Sequence, residues 1–96
     1  MFIVTLRFAD KARAPQFMDG HNDWLRRGFE EGVFLLAGGL DAGAGGAVIA
    51  HGVERETLEQ RIAADPFVSE GLVVPEICEV TPGRTDARLA FLTAAA

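Results

Sequence analysis

A chain of 96 residues makes one domain, and its 49% hydrophobic and 24% charged residues are a globular balance. The formal net charge of -5 argues against a nucleic-acid partner, because phosphate binding needs a basic surface. A single cysteine, Cys78, cannot form an internal disulfide and suits a reducing cytoplasm, and no apolar run reaches membrane-spanning length.

The opening Met1-Phe2-Ile3-Val4-Thr5-Leu6-Arg7 has no positive n-region and no long apolar core, so no secretory leader is predicted. Residues 2–8 alternate, with Phe2, Val4, Leu6 and Phe8 on one side and Ile3, Thr5 and Arg7 on the other, which predicts a strand. Asp10 to Arg13 read as a loop. Pro15 suits the first turn of a helix, where its missing N–H costs nothing. From there Phe17, His21, Trp24, Leu25 and Gly28 recur at helical spacing, and Gly32 ends the helix. Gly20 inside it costs roughly 1 kcal/mol against Ala, which packing must offset.

Val33 to Ala37 is apolar on both faces, the pattern of a strand buried on both sides. Gly38-Gly39 and Ala42-Gly43-Ala44-Gly45-Gly46 bracket a connection to a third strand, Ala47 to His51. A Gly-rich loop can cradle a phosphate, but this one lacks the following helix N-terminus and the Lys, so a hairpin is the preferred reading. Glu54 to Ala64 is a second helix, with Leu58, Ile62 and Val53 facing inward. Pro66 to Glu70 is a helical turn closed by Gly71, and Leu72 to Val80 is a fourth strand. Pro75 within it places that strand at a sheet edge. Arg84 to Leu92 suits a short helix whose Leu89, Phe91 and Leu92 pack on the body or on a partner subunit, and Ala94-Ala95-Ala96 is expected to fray.

The order β-α-β-β-α-β is the ferredoxin-like split motif, an α+β fold with a four-stranded antiparallel sheet and both helices on one face. Residues 2–80 form its core and 83–96 a tail. A domain this small buries only about two-thirds of its unfolded surface. Strands apolar on both faces would also expose a large apolar patch in a monomer. Pairing of two sheets into a dimeric α+β barrel removes it, so a homodimer is expected.

Two residues stand out chemically. His21 lies on the core-facing stripe of the first helix, where two readings stand: a core histidine satisfied by one hydrogen bond, or a general acid or base. Gly28, two turns on, would leave space beside the ring for a small ligand. Asp65 before Pro66 is a good N-cap. The cap is compatible with a second role, in which one carboxylate oxygen caps and the other orients an imidazole. Glu30, Glu31, Asp23 and Asp19 are worse placed to meet His21. Two histidines without Cys or carboxylate at ligand spacing give no metal signature. His51 reads as a solvated strand-end residue, Cys78 as a packed small hydrophobe, and Arg7 as solvated.

The segments His21-Asn22-Asp23-Trp24-Leu25, Gly32-Val33-Phe34-Leu35-Leu36-Ala37-Gly38 and Asp65-Pro66-Phe67 with Gly71 resemble the YCII-related family over roughly residues 2 to 80. The resemblance implies a ferredoxin-like fold forming a dimeric α+β barrel and a His–Asp active site carried here by His21 and Asp65. Many members have Gly-Pro after the second strand, where this chain has Gly38-Gly39. The family includes enzymes resembling dehydrochlorinases and lies near muconolactone isomerases by fold.

The functional expectation is a small lyase or isomerase that moves a proton on a small cyclic or aromatic-derived compound. His21 and Asp65 would be catalytic, Trp24, Gly38 and Phe67 would line the substrate pocket, and no nucleotide cofactor is implied. The alternative is a non-catalytic small-molecule binding or accessory domain in which the His–Asp pair is structural. A cofactor-free monooxygenase of similar fold has no motif support.

Overall fold

The computed structural model describes residues 1–94 of the chain. The alternation near the N-terminus does form a strand, β1 (Phe2–Phe8), with Phe2, Val4 and Leu6 buried and Ile3 and Arg7 exposed. After a 3-10 turn, α1 (Ala14–Glu30) begins with Pro15 in its first turn, and Gly32 at φ 73 takes the chain out of the helix. Then come β2 (Phe34–Gly39), β3 (Gly45–Ala50), α2 (Arg55–Ala63), the one-turn helix α3 (Pro66–Ser69) and β4 (Val73–Glu79).

All pairings are antiparallel, and the strand order is β2-β3-β1-β4. This is the ferredoxin-like α+β arrangement. The inward residues of β1 and β3 share one core with Trp24 of α1, Leu58 and Ile62 of α2 and Phe67 of α3. The helices thus lie over a single sheet face.

The other face is bare in the isolated chain. Ile3 is paired with Ile49 and Cys78, and Ile49 with Leu36, so these side chains share that face with Arg7 and its partner Val74. Leu36 is 52% exposed and Val74 60%. Cys78 is exposed rather than packed. The expectation that Val33 to Ala37 would be covered on both sides therefore does not hold within one chain. β2 is an edge strand, and Leu36 on its outer face stays exposed.

Two glycines close the β2–β3 hairpin more tightly than the sequence suggests. Gly45 and Gly46 belong to β3, not to the connection, and Gly46 pairs with Gly39 and with Leu6. The connection shrinks to Leu40 to Ala44 around a 3-10 turn. Gly45 has φ 139, and a Cβ there would overlap the Leu6 carbonyl. Gly28 also differs from expectation. It leaves no ligand space, because the Phe34 ring occupies the position that a Cβ would take.

The opposite edge, β4, is closed to further pairing. Pro75 has no N–H to offer, and Arg55 Nη2 of α2 donates to the Ile77 carbonyl at 3.2 Å. Beyond β4 the tail forms two short turns, Ala87–Leu89 and Phe91–Ala94, not one helix. Phe91 meets His51 edge to face at 5.4 Å, so His51 is half-buried rather than solvated, while Leu89 and Phe91 stay 46% and 44% exposed. Ala95 and Ala96 of the expected frayed end lie outside the described residues.

The Phe34 seat gives a stability test. Gly28→Ala forces the ring off its site and should cost roughly 1–3 kcal/mol, as overpacking does. Urea denaturation measures it, and an unchanged midpoint would mean the contact is not tight.

Candidate functional site

Local sequence places the two key side chains. Asp65 has extended backbone (φ -63, ψ 125) ahead of Pro66, and its Oδ1 accepts the Phe67 N–H at 3.0 Å, an N-cap. His21 stands in the middle of α1, half-buried, one residue after Gly20. That glycine lets α3 come close: a Cβ at Gly20 would lie 3.1 Å from Pro66 Cγ. The offset for a glycine inside a helix is this approach of α3 to α1.

The approach brings His21 Nδ1 to 2.8 Å from Asp65 Oδ1. His21 and Asp65, 44 positions apart, therefore form a hydrogen-bonded pair, with Nδ1–H donating to the carboxylate. The carboxylate does not divide its oxygens between the two tasks. Oδ1 accepts from both Phe67 N and His21 Nδ1, whereas Oδ2 is buried with no hydrogen-bond partner among the described residues. Asp65 is 0% exposed, and the His21 side chain 14%.

Aromatic rings hold the imidazole from its faces. Phe67 stacks on it at 4.1 Å between centroids, with the planes 4° apart. Trp24 lies at 5.7 Å, inclined by 28°. The three ring positions follow from spacing. His21 and Trp24 are three residues apart on α1, one above the other, and Phe67 follows Asp65 by two. Trp24 itself is fixed by its Nε1–H, which donates to the Arg61 carbonyl of α2 at 2.8 Å.

His21 lines two adjoining cavities between α1 and the sheet. One, of about 220 Å³, is walled by Phe8, Phe67 and Met18. The other, of about 190 Å³, reaches toward Leu25, Ala37 and Val48. Leu6, Gly38 and Gly46 border both. Of the expected pocket residues, Gly38 and Phe67 stand beside His21. Trp24 does not line either cavity; it is 3% exposed and braces the imidazole from behind. The structure adds Asn22, the neighbour of His21, whose exposed side chain borders the first cavity. Its only sequence signal is a polar amide next to a stripe histidine.

Three of the four competing carboxylates are engaged elsewhere. Glu31 accepts from Arg61 Nη2 at 2.7 Å, and that guanidinium holds its carboxyl below the usual range. Asp23 and Glu30 both pair with Arg26, whose hydrogen bond and charge lower the Asp23 carboxyl. The described residues hold no group of three or more His, Cys, Asp or Glu arranged for a metal. No described helix is long and apolar enough to cross a membrane.

No family model matches the chain, and no curated protein matches it in sequence. Solved structures do match it in shape. One is a 5-chloro-2-hydroxyhydroquinone dehydrochlorinase from Burkholderia phenoliruptrix in complex with 2,5-dihydroxybenzoquinone. It superposes with a TM-score of 0.62 at 16% sequence identity, covering 86% of this chain and 96% of that one. At that identity the likeness establishes the shared fold.

The pair itself can be measured by a double-mutant cycle. His21→Ala, Asp65→Ala and the double variant, followed by folding free energy, should yield a coupling of roughly 0.5–3 kcal/mol, the range for residues in direct contact. Additive losses would mean that the two side chains do not interact.

Proposed function

We propose that this chain is a member of the YCII-related family and a small proton-transfer enzyme of the lyase or isomerase type, acting on a small cyclic or aromatic-derived metabolite. The observation that carries the reading is the Nδ1–Oδ1 hydrogen bond on an imidazole that also borders a cavity. With Nδ1–H committed to Asp65, Nε2 keeps its lone pair and has no protein partner among the described residues. It is the ring atom left to serve a ligand.

Nε2 removes a proton from a carbon or hydroxyl of the bound compound. The electron pair left behind shifts into the ligand's own conjugated system. Asp65 faces the imidazolium that forms and holds its orientation. In an isomerisation His21 returns the proton at a second atom. In an elimination, the same electron pair expels a leaving group from the neighbouring carbon. Phe67 and Trp24 on the ring faces keep the imidazole from rotating, so Nε2 stays aimed while the proton moves. The structural neighbour supports this reading: it is a 5-chloro-2-hydroxyhydroquinone dehydrochlorinase.

Gly38 and Phe67 serve as substrate-contacting positions, and Trp24 acts by positioning His21. The exposed Ile3, Leu36 and Val74 support a homodimer in which two sheets face each other as a dimeric α+β barrel. A free, exposed Cys78 suits a reducing cytoplasm.

Solvent exchange tests the chemistry. 2,5-Dihydroxybenzoquinone and related hydroxylated rings, incubated with the protein in D2O, should gain deuterium at ring carbon, read by proton NMR. His21→Ala should abolish the exchange and keep the fold. Asp65→Asn should slow it at least tenfold while costing about 1 kcal/mol or less in stability, because Asn still caps. Binding with no exchange in the wild type would favour the binding-domain alternative.

Assembly has its own measurement. Light scattering on a sizing column at micromolar concentration should return twice the chain mass, for an interface of at least about 1,000 Å². A monomer mass would remove the barrel.

A further inference from the structure

The floor of the cavity beside His21 contains a glycine that the backbone does not require. Gly46 lies within β3, directly opposite the inward Leu6, so a side chain there would rise toward the helices. Its φ is not in the left-handed region that favours glycine. Packing around Gly46 is tight at one point only, where β2 would have to yield by a few tenths of an ångström to admit a Cβ. A Cβ at Gly46 would meet only the Gly38 carbonyl oxygen, at 3.3 Å, with no other atom within 4 Å. Glycine inside a strand weakens it and marks places where another group approaches the backbone closely. The space above Gly46 is the cavity that His21 borders, and the ring of Phe67 stands at its side.

The polar equipment of that cavity is sparse. Among its lining side chains only His21 and Asn22 carry hydrogen-bonding groups. The Asn22 carboxamide makes no hydrogen bond to another described residue, whereas the neighbouring Asp23 is taken up by Arg26 and Arg27. A carboxamide offers two donors and an acceptor, the set that suits a hydroxyl or a carbonyl oxygen. His21 and Asn22 are adjacent on one helix, so a ligand oxygen at Asn22 fixes the ligand's orientation against Nε2.

We propose that Gly46 and Asn22 determine what the site accepts: Gly46 admits a flat ring laid against bare backbone, and Asn22 holds an oxygen substituent of that ring. The proposal rests on the proton-transfer reading for the ligand's location only. A planar ring can lie against the bare Gly46 backbone over its whole face, whereas axial hydrogens hold a saturated ring off it, and a ring without oxygen gives Asn22 nothing to bind.

The test uses three probes: catechol, trans-1,2-cyclohexanediol and toluene. Binding is followed by amide chemical shifts and by fluorescence of Trp24, the chain's one tryptophan, which packs against His21. Catechol should bind at least tenfold more tightly than the saturated diol and should shift the amides of Gly38, Gly46 and Asn22. Gly46→Val should weaken catechol at least tenfold in a protein whose amide spectrum remains that of the folded chain. Gly46→Ala, the smaller change, should weaken it less. Asn22→Leu should reduce catechol to the affinity of toluene. Equal binding of catechol and the diol, or catechol affinity within twofold of wild type in Gly46→Val, would overturn the proposal.

Its failure is separable from failure of the catalytic reading. If catechol binds as described but no ring deuterates in the exchange experiment, only the chemistry fails. If His21-dependent exchange proceeds at the wild-type rate in both Gly46→Val and Asn22→Leu, only the specificity roles fail.

Discussion

One carboxylate oxygen, buried and holding two N–H donors, ties this molecule together. Asp65 Oδ1 accepts from Phe67 of its own turn and from His21 of α1. A carboxylate removed from water is costly unless hydrogen bonds replace its solvation. The Phe67 amide alone is a modest replacement, and the imidazole supplies the second. That requirement fixes the distance between α3 and the middle of α1. It also fixes the ring plane of His21, because Phe67, carried by the same turn, stacks on it. The arrangement depends further on Gly20, which keeps a side chain out of the space that Pro66 enters. Local turn geometry and a long-range contact thus share one atom.

The same logic explains the division of labour among the aromatic rings. Trp24 and Phe34 meet edge to face at 5.1 Å, and Phe34 fills the gap at Gly28. Arg61 joins this group from α2. Its carbonyl takes the Trp24 Nε1–H, its guanidinium lies 5.9 Å from the Phe34 ring centroid, and its charge meets Glu31. The back of the imidazole is therefore rigid packing, and its front is open space. One side of the ring is thus braced by packing, and the other borders the two cavities whose walls include Leu6 and Gly38.

Much of this was legible in the residues. Period-two alternation marked β1, and Pro15, Gly32, Asp65-Pro66 and Gly71 marked helix ends by backbone preferences that operate locally. The helical stripe identified His21 as inward-facing, and the cap identified Asp65. What escaped the sequence was long-range. Gly28 looked like empty space because nothing local says that Phe34 fills it. Trp24 looked like a pocket residue because its stripe position matches His21, but the Arg61 carbonyl draws its indole behind the ring. The split of cap and orienter between two oxygens was plausible chemistry, and the close approach at Gly20 placed both donors on one oxygen instead. Apolar patterning could not show that β2 lies at an edge, since that depends on strand order.

The two edges of the sheet are unlike each other, and the difference limits how chains can join. A sheet that extends from molecule to molecule needs a free edge on each side, so that every newcomer offers a template for the next. On β4, Pro75 withholds a donor and Arg55 occupies the Ile77 carbonyl. Only β2 could accept a strand, and two molecules joined there would present a β4 at both ends. Edge-to-edge growth therefore terminates at two copies, and a fibril built by strand addition has no place to begin its third layer.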